Sequence, residues 1–343
     1  MPLAITGIGA RTPVGTCARE TFFSVRTKLN SFRESFVIDR TGEHVVVSAV
    51  PPIHPQVGEE ARLLELGPAA LAEALKGGAE QWSPHHRVGL VLVIPEPGER
   101  PVHWNFPSSV VQALAALLPQ SRTGPGPVLI SGGHTGWARA LEQISLLLRQ
   151  GQVDACILGA VDTLCTPRTL EHLDRQRQLR NDLEEGLVPG EAAAFLVLEP
   201  LRPHHRGRAM AHLAAWAEGA ALANEKNPLP GAILTRATRE CLRRAAYRDE
   251  TPGLILSDMG GAKHEALEVA FARFRAFRNQ ASSALLLHPA ESLGDVGAAT
   301  GPLLMVIATL CHLHGRAPQG DALLTTNTRP GRSAVCLVRP ERN

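Results

Sequence analysis

Short apolar runs alternate along the chain with longer segments in which apolar residues recur at helical spacing. The run 88–94 is almost entirely apolar and is followed by Pro95 and Pro97, a pattern typical of a strand buried on both faces of a parallel sheet. In 60–75 the leucines recur every three or four residues, which predicts a helix. We predict strands over 3–10, 88–94, 125–131, 153–159, 190–199, 253–257 and 284–287, and helices over 17–27, 60–75, 137–149, 232–247, 264–277 and 298–314. This alternation favours an α/β fold with helices layered on sheet strands.

The two parts of the chain share one weak pattern. Residues 128–151 and 285–315 each contain a strand, a turn with glycine, a helix and a closing glycine. A repeat of this length indicates duplicated half-domains rather than a solenoid. A polar break follows the apolar run that ends at Glu199, and we place the boundary there. The predicted units are an N-terminal half over 1–205 and a C-terminal half over 206–343.

Composition excludes several classes of partner. The 343 residues carry a formal charge of only +2, which is too small a field to indicate nucleic acid or an anionic membrane surface. The apolar runs are shorter than the ~20 residues of a membrane helix. The six cysteines lack CxxC spacing, and several lie in apolar runs, which favours free thiols in a reducing compartment. The first residues enter a strand-like run without a basic start, so we expect no secretory signal and a cytoplasmic location.

Four glycine-bearing segments occur in one order along the chain. They are ITGIGARTPVG at 5–15, GQVDACILGAVD at 151–162, EGLVPGEAAAFLVLE at 185–199 and GDVGAATG at 294–301. Together they resemble motifs of the β-ketoacyl synthase family of the thiolase superfamily. The third is the most specific, because that family reads D-G-F-V-L-G-E-G-A-A-x-L-V-L-E there. The resemblance spans nearly the whole chain. It implies a thiolase-like, five-layered α-β-α-β-α fold built from two similar halves, usually dimeric, with no cofactor.

The resemblance also says where the chemistry should be. In the family a cysteine at a strand-to-helix turn takes an acyl chain as a thioester, and two histidines then assist decarboxylation and stabilise the developing charge. The position that matches the cysteine is His134, the first histidine matches Asp258, and the second matches Gly294 or Asp295. An imidazole cannot hold a stable thioester, and a carboxylate repels an enolate. We therefore expect no standard condensation.

Each of these residues has a structural alternative. His134 can be a buried histidine that fills the vacated turn through hydrogen bonds, and Asp258 and Asp295 can cap the helices that follow them. The three could also form an acid-base or metal constellation, although one histidine with two aspartates is a weak pattern, and we predict no metal. Cys165 is expected to be a packing residue rather than a relocated nucleophile, because no base lies beside it in the pattern.

Three functions are compatible with this pattern. The first is a non-condensing subunit that resembles a chain-length factor and pairs with a cysteine-bearing ketosynthase homologue in fatty acid or polyketide assembly. The second is an acyltransferase or hydrolase that uses His134 as a base. The third is a non-catalytic adaptor. We expect a homodimer or heterodimer that meets beside 128–131, with 104–111 contributing to the contact. An acidic acyl carrier protein is a possible partner for Arg175, Arg177 and Arg180.

Overall fold

Twelve strands and nine helices make up the described part of this computed structural model. The described residues are 1–51, 53–54, 56–79, 82–83, 85–119, 125–202, 208–222, 225, 228–247, 252–277, 284–316, 320–328 and 331–341. The strands are β1 Leu3–Arg11, β2 Arg33–Ile38, β3 His44–Val47, β4 Val88–Ile94, β5 Val128–Ser131, β6 Ala155–Thr163, β7 Glu191–Pro200, β8 Ala211–Ala220, β9 Leu254–Ser257, β10 Leu285–Leu287, β11 Ala322–Thr328 and β12 Arg332–Pro340. The helices are α1 Ala18–Arg26, α2 Glu59–Gly78, α3 Ser108–Ala116, α4 Gly136–Arg149, α5 Pro167–Arg175, α6 Ala232–Arg244, α7 Lys263–Ala276, α8 Ala290–Leu293 and α9 Thr300–Leu313. None of these helices is both long and apolar enough to cross a membrane.

Two halves with the same topology form the main sheet. Its order is β10-β9-β11-β12-β8-β1-β7-β6-β4-β5. In the N-terminal half β1 pairs antiparallel with β7, β7 antiparallel with β6, and β4 lies parallel between β6 and β5. In the C-terminal half β8, β12, β11, β9 and β10 repeat the same order and directions. Within the sheet of the described residues, three residue pairs between β1 and β8 join the halves. The duplication predicted from sequence is therefore present, although its boundary at 205/206 lies outside the described residues.

Three apolar cores give the five layers. In the central core, one face of each half-sheet packs against α4 and α9. Residues 300–311 of α9 are all buried. A second core packs the outer face of the N-terminal half against α2 and α3, and a third packs the outer face of the C-terminal half against α6 and α7. The layers are thus helix, sheet, helix, sheet, helix, as the thiolase-like resemblance implies.

The predicted strands and helices all exist, with shifted ends. The clearest correction is α2, which was predicted to stop before its glycines but continues through Gly78. Its close contact with the sheet explains this: a Cβ on Gly9 of β1 would clash with the Ala70 carbonyl of α2, and one on Gly78 would meet Val197 at 2.9 Å. Glycine here permits backbone approach rather than ending the helix. The hairpin β2–β3, the helices α3 and α5, and the strands β8, β11 and β12 were not predicted.

Helices α4 and α9 bring the two halves together at the centre of the molecule. The Trp137 ring of α4 is fully buried and lies on Gly301 of α9, where any Cβ would clash with it. The Trp137 Nε1 donates to Thr326 Oγ1 on β11 at 2.9 Å. This packing sets the N-termini of α4 and α9 side by side, together with the turns that precede them.

Candidate functional site

His134 lies in the turn between β5 and α4, as predicted. The chain leaves β5 at Ser131, forms a short 3-10 turn over Gly133–Thr135 and enters α4 at Gly136. Gly133 has φ +48, in the left-handed region that favours glycine. Gly136 packs against Val93, and a Cβ on Gly136 would lie 2.9 Å from the Val93 side chain. These glycines allow a tight strand-to-helix turn and leave His134 as its principal functional side chain.

Asp295 faces His134 across the boundary between the halves. It lies between α8 and the 3-10 turn Gly297–Ala299 that leads into α9. Its Oδ1 is 2.7 Å from His134 Nε2 and also accepts the Gly297 N–H at 2.8 Å. The carboxylate thus closes a local turn with Gly297 and also binds the imidazole, but it does not cap a helix, because neither the 3-10 turn nor α9 has a side-chain cap. Both side chains are less than one fifth exposed.

Asp258 lies at the end of β9, on the wall of the cleft that also contains His134 and Asp295. Its carboxylate accepts the Asn327 N–H at 2.6 Å and lies 3.4 Å from the Asn327 side-chain nitrogen. The helix-capping alternative for Asp258 is therefore wrong, because the next helix, α7, begins five residues later at Lys263 and has no side-chain cap. Asp258 instead ties β9 to β11. The structure brings all three predicted residues to one cleft.

Glu99 is a fourth member of this site that sequence reasoning missed. It ends a 3-10 turn over Pro97–Glu99, just after β4. A Cβ on Gly133 would lie 2.5 Å from its Oε2, so the carboxylate packs against the histidine turn. Two prolines marked this segment as a strand end, but nothing in its local sequence indicated contact with Gly133, 34 positions away.

The charges of the site favour a protonated imidazole. Burial alone would lower the pKa of His134, but the charge and hydrogen bond of Asp295, with the charges of Glu99 and Asp258, raise it to about 10. Burial raises the pKa of Asp258 to about 7, although the His134 charge opposes that shift. Burial also raises the pKa of Glu99. The pKa of Asp295 is lowered, because the imidazolium and its hydrogen bond outweigh burial. His134 is therefore a cation among carboxyl groups at neutral pH.

A buried ion pair between Arg100 and Asp162 supports the site. Arg100 Nη2 lies 2.5 Å from Asp162 Oδ1, and both side chains are about 2% exposed. Asp162 Oδ2 accepts the Ala298 N–H at 2.8 Å, and Arg100 Nη1 donates to the Thr163 carbonyl at 3.2 Å. Asp162 closes the 151–162 segment, so its motif could have identified it. The pair positions the turn that carries Asp295.

The cleft beside His134 is small and mostly apolar. Its volume is about 20 Å³, and its walls include Leu293, Val296, Leu303 and Leu304. A second cleft of about 290 Å³ shares Asp258 and lies toward α7. Among the described residues there is no group of three or more histidine, cysteine, aspartate or glutamate side chains arranged to hold a metal ion.

None of the six cysteines, all within the described ranges, lies at the turn. Cys165 is buried and its Sγ contacts the carbonyls of Ser48 and Pro189. Burial raises its pKa well above the ordinary thiol value, and the charge of Glu191 adds to the shift. Cys165 is thus a packing residue, as predicted. Four of the others are buried, and Cys17 caps α1. Of the predicted docking arginines, Arg177 is already paired with Glu184 at 2.9 Å.

Comparison with known proteins agrees with the sequence resemblance. Residues 129–204 match the family "Beta-ketoacyl synthase, N-terminal domain". A putative polyketide β-ketoacyl synthase 1 of Streptomyces virginiae is 30% identical over 228 residues, which cover 58% of this chain and 53% of that protein. The chain thus spans about half the length of this relative.

Solved structures agree over the whole chain. A chain of a type II polyketide synthase complex, in which an acyl-carrier protein binds its ketosynthase with a hexaketide, has a TM-score of 0.81 at 16% identity and 99% coverage of both chains. A chain of the ishigamide ketosynthase/chain length factor has a TM-score of 0.73 at 18% identity and full coverage of both. Residues 129–204 thus resemble the N-terminal domain of β-ketoacyl synthases, and the whole chain has the fold of these ketosynthase structures.

Proposed function

We propose that this chain is a non-condensing subunit of a polyketide or fatty acid assembly system, of the chain-length-factor type. One observation carries the proposal. At the strand-to-helix turn where the family has its nucleophile, this chain has His134 engaged with Asp295 at 2.7 Å. No thiol lies at the turn to form a thioester, and the other cysteines are buried or cap a helix.

The electrostatics of the site argue against condensation. Decarboxylation of a malonyl unit develops negative charge on an enolate, and catalysts of such steps place hydrogen-bond donors or cations toward it. Here Asp258 and either Gly294 or Asp295 occupy the positions matched to the family's histidines, with Glu99 close by. The cation among these side chains, His134, is already paired with Asp295. A malonyl carboxylate would therefore meet no unpaired cation among them and, above neutral pH, the negative charge of Asp258, whose pKa is about 7.

The same charges weaken the hydrolase and acyltransferase hypothesis. A general base must be unprotonated at working pH. The pKa of His134 is about 10, since Asp295, Glu99 and Asp258 stabilise the imidazolium against the effect of burial. His134 therefore holds its proton across the neutral range and offers no free lone pair from Nε2.

The cleft does not by itself distinguish a chain-length-factor-like subunit from a structural adaptor. Four apolar side chains, Leu293, Val296, Leu303 and Leu304, line a space of about 20 Å³ beside His134, which is enough for a water molecule. This space has no room for an acyl group. Under the proposal, this chain therefore contributes wall to a pocket that the neighbouring subunit completes.

Strand β5 supports a dimer. It is the last strand of the sheet, and among the described residues it pairs only with β4. Leu129 on its outer face is 42% exposed, while Val128 and Ile130 pack inward. An edge strand of this kind is a template for pairing with another chain. We propose that a cysteine-bearing ketosynthase homologue, or a second copy, pairs here and buries more than ~2,000 Å².

Of the predicted contact segment, Trp104 and Phe106 are mostly used within the chain. Trp104 Nε1 donates to Glu59 at 2.6 Å, and Phe106 packs on the outer core. The acyl carrier protein stays part of the proposal as a partner of the pair. It is supported by the similarity to a ketosynthase solved with its carrier protein.

Reconstitution with a cysteine-bearing ketosynthase from the same source tests the function. The proposal expects product only when both chains are present, no product when the ketosynthase cysteine is replaced by alanine, and unchanged turnover with His134→Gln in this chain. His134→Gln keeps a hydrogen-bond donor toward Asp295 and removes the cation. A loss of turnover beyond tenfold in a folded, paired His134→Gln variant would contradict the proposal and assign catalysis to His134.

A further inference from the structure

Helix α7 exposes an apolar stripe that the proposed function does not use. Every third or fourth residue from Lys263 to Phe274 faces solvent, and the stripe consists of Lys263, Ala266, Leu267, Ala270, Phe271 and Phe274. Leu267 is 40% exposed, Phe271 41% and Phe274 63%. The stripe extends about 16 Å at 1.5 Å per residue.

The stripe is separate from the face that anchors α7. Val269 and Ala272 point into the outer core of the C-terminal half. The two glutamates of the helix turn toward the body of the protein, where Glu265 accepts the Gly260 N–H and Glu268 the Gly231 N–H, each at 2.7 Å. An amphipathic helix ordinarily buries its one apolar face. The exposed stripe is therefore a second apolar face, which α7 does not use to pack against the rest of the protein.

Each end of the stripe carries a basic side chain. Lys263 begins it, and Arg273 and Arg275 lie in the last turn. One carboxylate, Glu185, lies beside the first end and accepts the Lys263 backbone N–H at 2.9 Å. Arg275 donates to the Pro230 carbonyl and its guanidinium lies 5.2 Å from the centre of the Phe271 ring. The cation is therefore held beside the apolar surface, where it can meet an anionic group on a partner.

These charges favour an acidic partner helix over a second copy of α7. A second copy of α7 packed on the stripe would place basic ends against basic ends in the antiparallel orientation, and Lys263 against Lys263 in the parallel one. Like charges at the ends of a small helix contact oppose pairing. A helix with a matching apolar stripe and acidic residues at both ends removes that repulsion and supplies opposite charges.

We propose that α7 docks an acidic amphipathic helix of a partner protein along this stripe. Apolar anchors of the partner lie between Leu267 and Phe274, and its carboxylates meet Lys263 at one end and Arg275 at the other. The mode is helix-on-helix recognition with aromatic anchors in the centre. This inference is independent of whether the chain condenses acyl units, because it uses neither His134 nor the clefts.

A designed peptide tests the docking. The probe is a fluorescein-labelled 16-residue helix with leucines at i, i+4, i+7 and i+11 and glutamates at both ends. The control peptide is identical except that lysines replace the glutamates at both ends. Fluorescence anisotropy with the full chain should show micromolar binding of the acidic peptide and at least tenfold weaker binding of the basic one. Equal binding of the two, or none at 100 µM, would overturn the proposal.

Variants locate the contact. The double variant Phe271→Ser, Phe274→Ser should bind the acidic peptide at least tenfold more weakly, and Lys263→Glu several-fold more weakly. Phe36 is an exposed phenylalanine on β2, and Phe36→Ser should leave the binding unchanged. Circular dichroism checks that the variants fold. Light scattering measures whether the chain self-associates, and sedimentation with anionic vesicles measures whether it binds a membrane surface. A loss of self-association in the double variant, or vesicle binding that it abolishes, would contradict the acidic-helix assignment in favour of a second copy or a membrane surface.

Discussion

One short contact between His134 and Asp295 joins the two halves at the centre of the site. The residues come from turns 161 positions apart, each placed just before a helix of the central layer. Because the imidazole is surrounded by carboxyl groups, its charge is set by the arrangement of both halves. The residue-scale predictions concern that charge.

Asp295→Asn should lower the pKa of His134 from about 10, since Asp295 supplies the largest stabilisation of the imidazolium. Burial, which lowers the pKa of His134, would then be opposed only by the charges of Glu99 and Asp258 among the groups that now raise it. The loss of folding free energy should be smaller than the roughly 3–5 kcal/mol of a fully buried pair, because both side chains keep some solvent contact. NMR titration of the imidazole protons measures the pKa, with the exposed Glu291→Gln as control. An unchanged pKa would contradict the ion pair.

Asp258→Asn should stabilise the protein progressively as pH rises. The pKa of Asp258 is about 7 in the folded state against 3.8 ordinarily, so the folded chain retains a proton that the unfolded chain releases. Its contribution to stability therefore falls from pH ~4 to ~7 and is constant above. The variant should gain on the order of 1–3 kcal/mol at pH 8 and much less at pH 4, since one pKa unit is about 1.4 kcal/mol. Urea unfolding at both pH values, with Asp182→Asn as control, measures it; equal gains would be inconsistent with burial of this carboxyl.

His134→Cys should not restore condensation. The new thiol would lie among Glu99, Asp258 and Asp295, whose charges disfavour a thiolate. The positions of the family's histidines would still be aspartate or glycine, so the histidine donors that stabilise the enolate would be missing. Malonyl decarboxylation and product formation should stay at background. Condensation by this single variant above background would show that the remaining machinery is intact.

At the scale of the elements, the apolar pattern predicted what burial dictates. Runs such as Val88–Ile94 are buried on nearly every residue and were placed correctly. Two of the missed strands lack that signal: β2 is exposed at four of its six positions, including Phe36 and Ile38, and half of β8 is alanine, which has low strand propensity. These two need the neighbouring strands to define them. The missed strands β11 and β12 are mostly buried, so the pattern was present there and was overlooked.

The site was predicted in part for the same physical reason. His134, Asp258 and Asp295 follow strands or precede helices at one end of the sheet, so their convergence could be expected from the repeat. Glu99 and the Arg100–Asp162 pair depend on long-range packing against Gly133 and Ala298. No local pattern encodes a partner that far along the chain.

Gly301→Ala should destabilise the central layer. Its new methyl would clash with the Trp137 ring, which is fully buried and cannot move without breaking its hydrogen bond to Thr326. We expect a loss of about 1–3 kcal/mol, as for overpacked cores. Gly126→Ala is the control, because a Cβ there meets nothing within 4 Å. Equal urea midpoints for the two variants would mean that Trp137 does not pack as described.

For the whole molecule, the proposed pairing through β5 makes a prediction about assembly. Leu129→Lys puts a charge on the outer face of the edge strand and should abolish the dimer, homotypic or with a ketosynthase, without lowering stability. Leu313→Lys, at an equally exposed site on α9, should leave it intact. Light scattering measures both. A wild-type chain that is monomeric at micromolar concentration and binds no ketosynthase would remove the chain-length-factor proposal and favour the adaptor.

The central claim is that the turn at His134 forms no acyl-enzyme. Intact mass spectrometry after incubation with an acyl thioester tests it most directly, with a cysteine-bearing ketosynthase treated in parallel as the positive control. The account predicts an unmodified mass for this chain under conditions that acylate the control fully. A stoichiometric acyl adduct that persists in Cys17→Ser and Cys165→Ser variants and disappears in His134→Gln would contradict it.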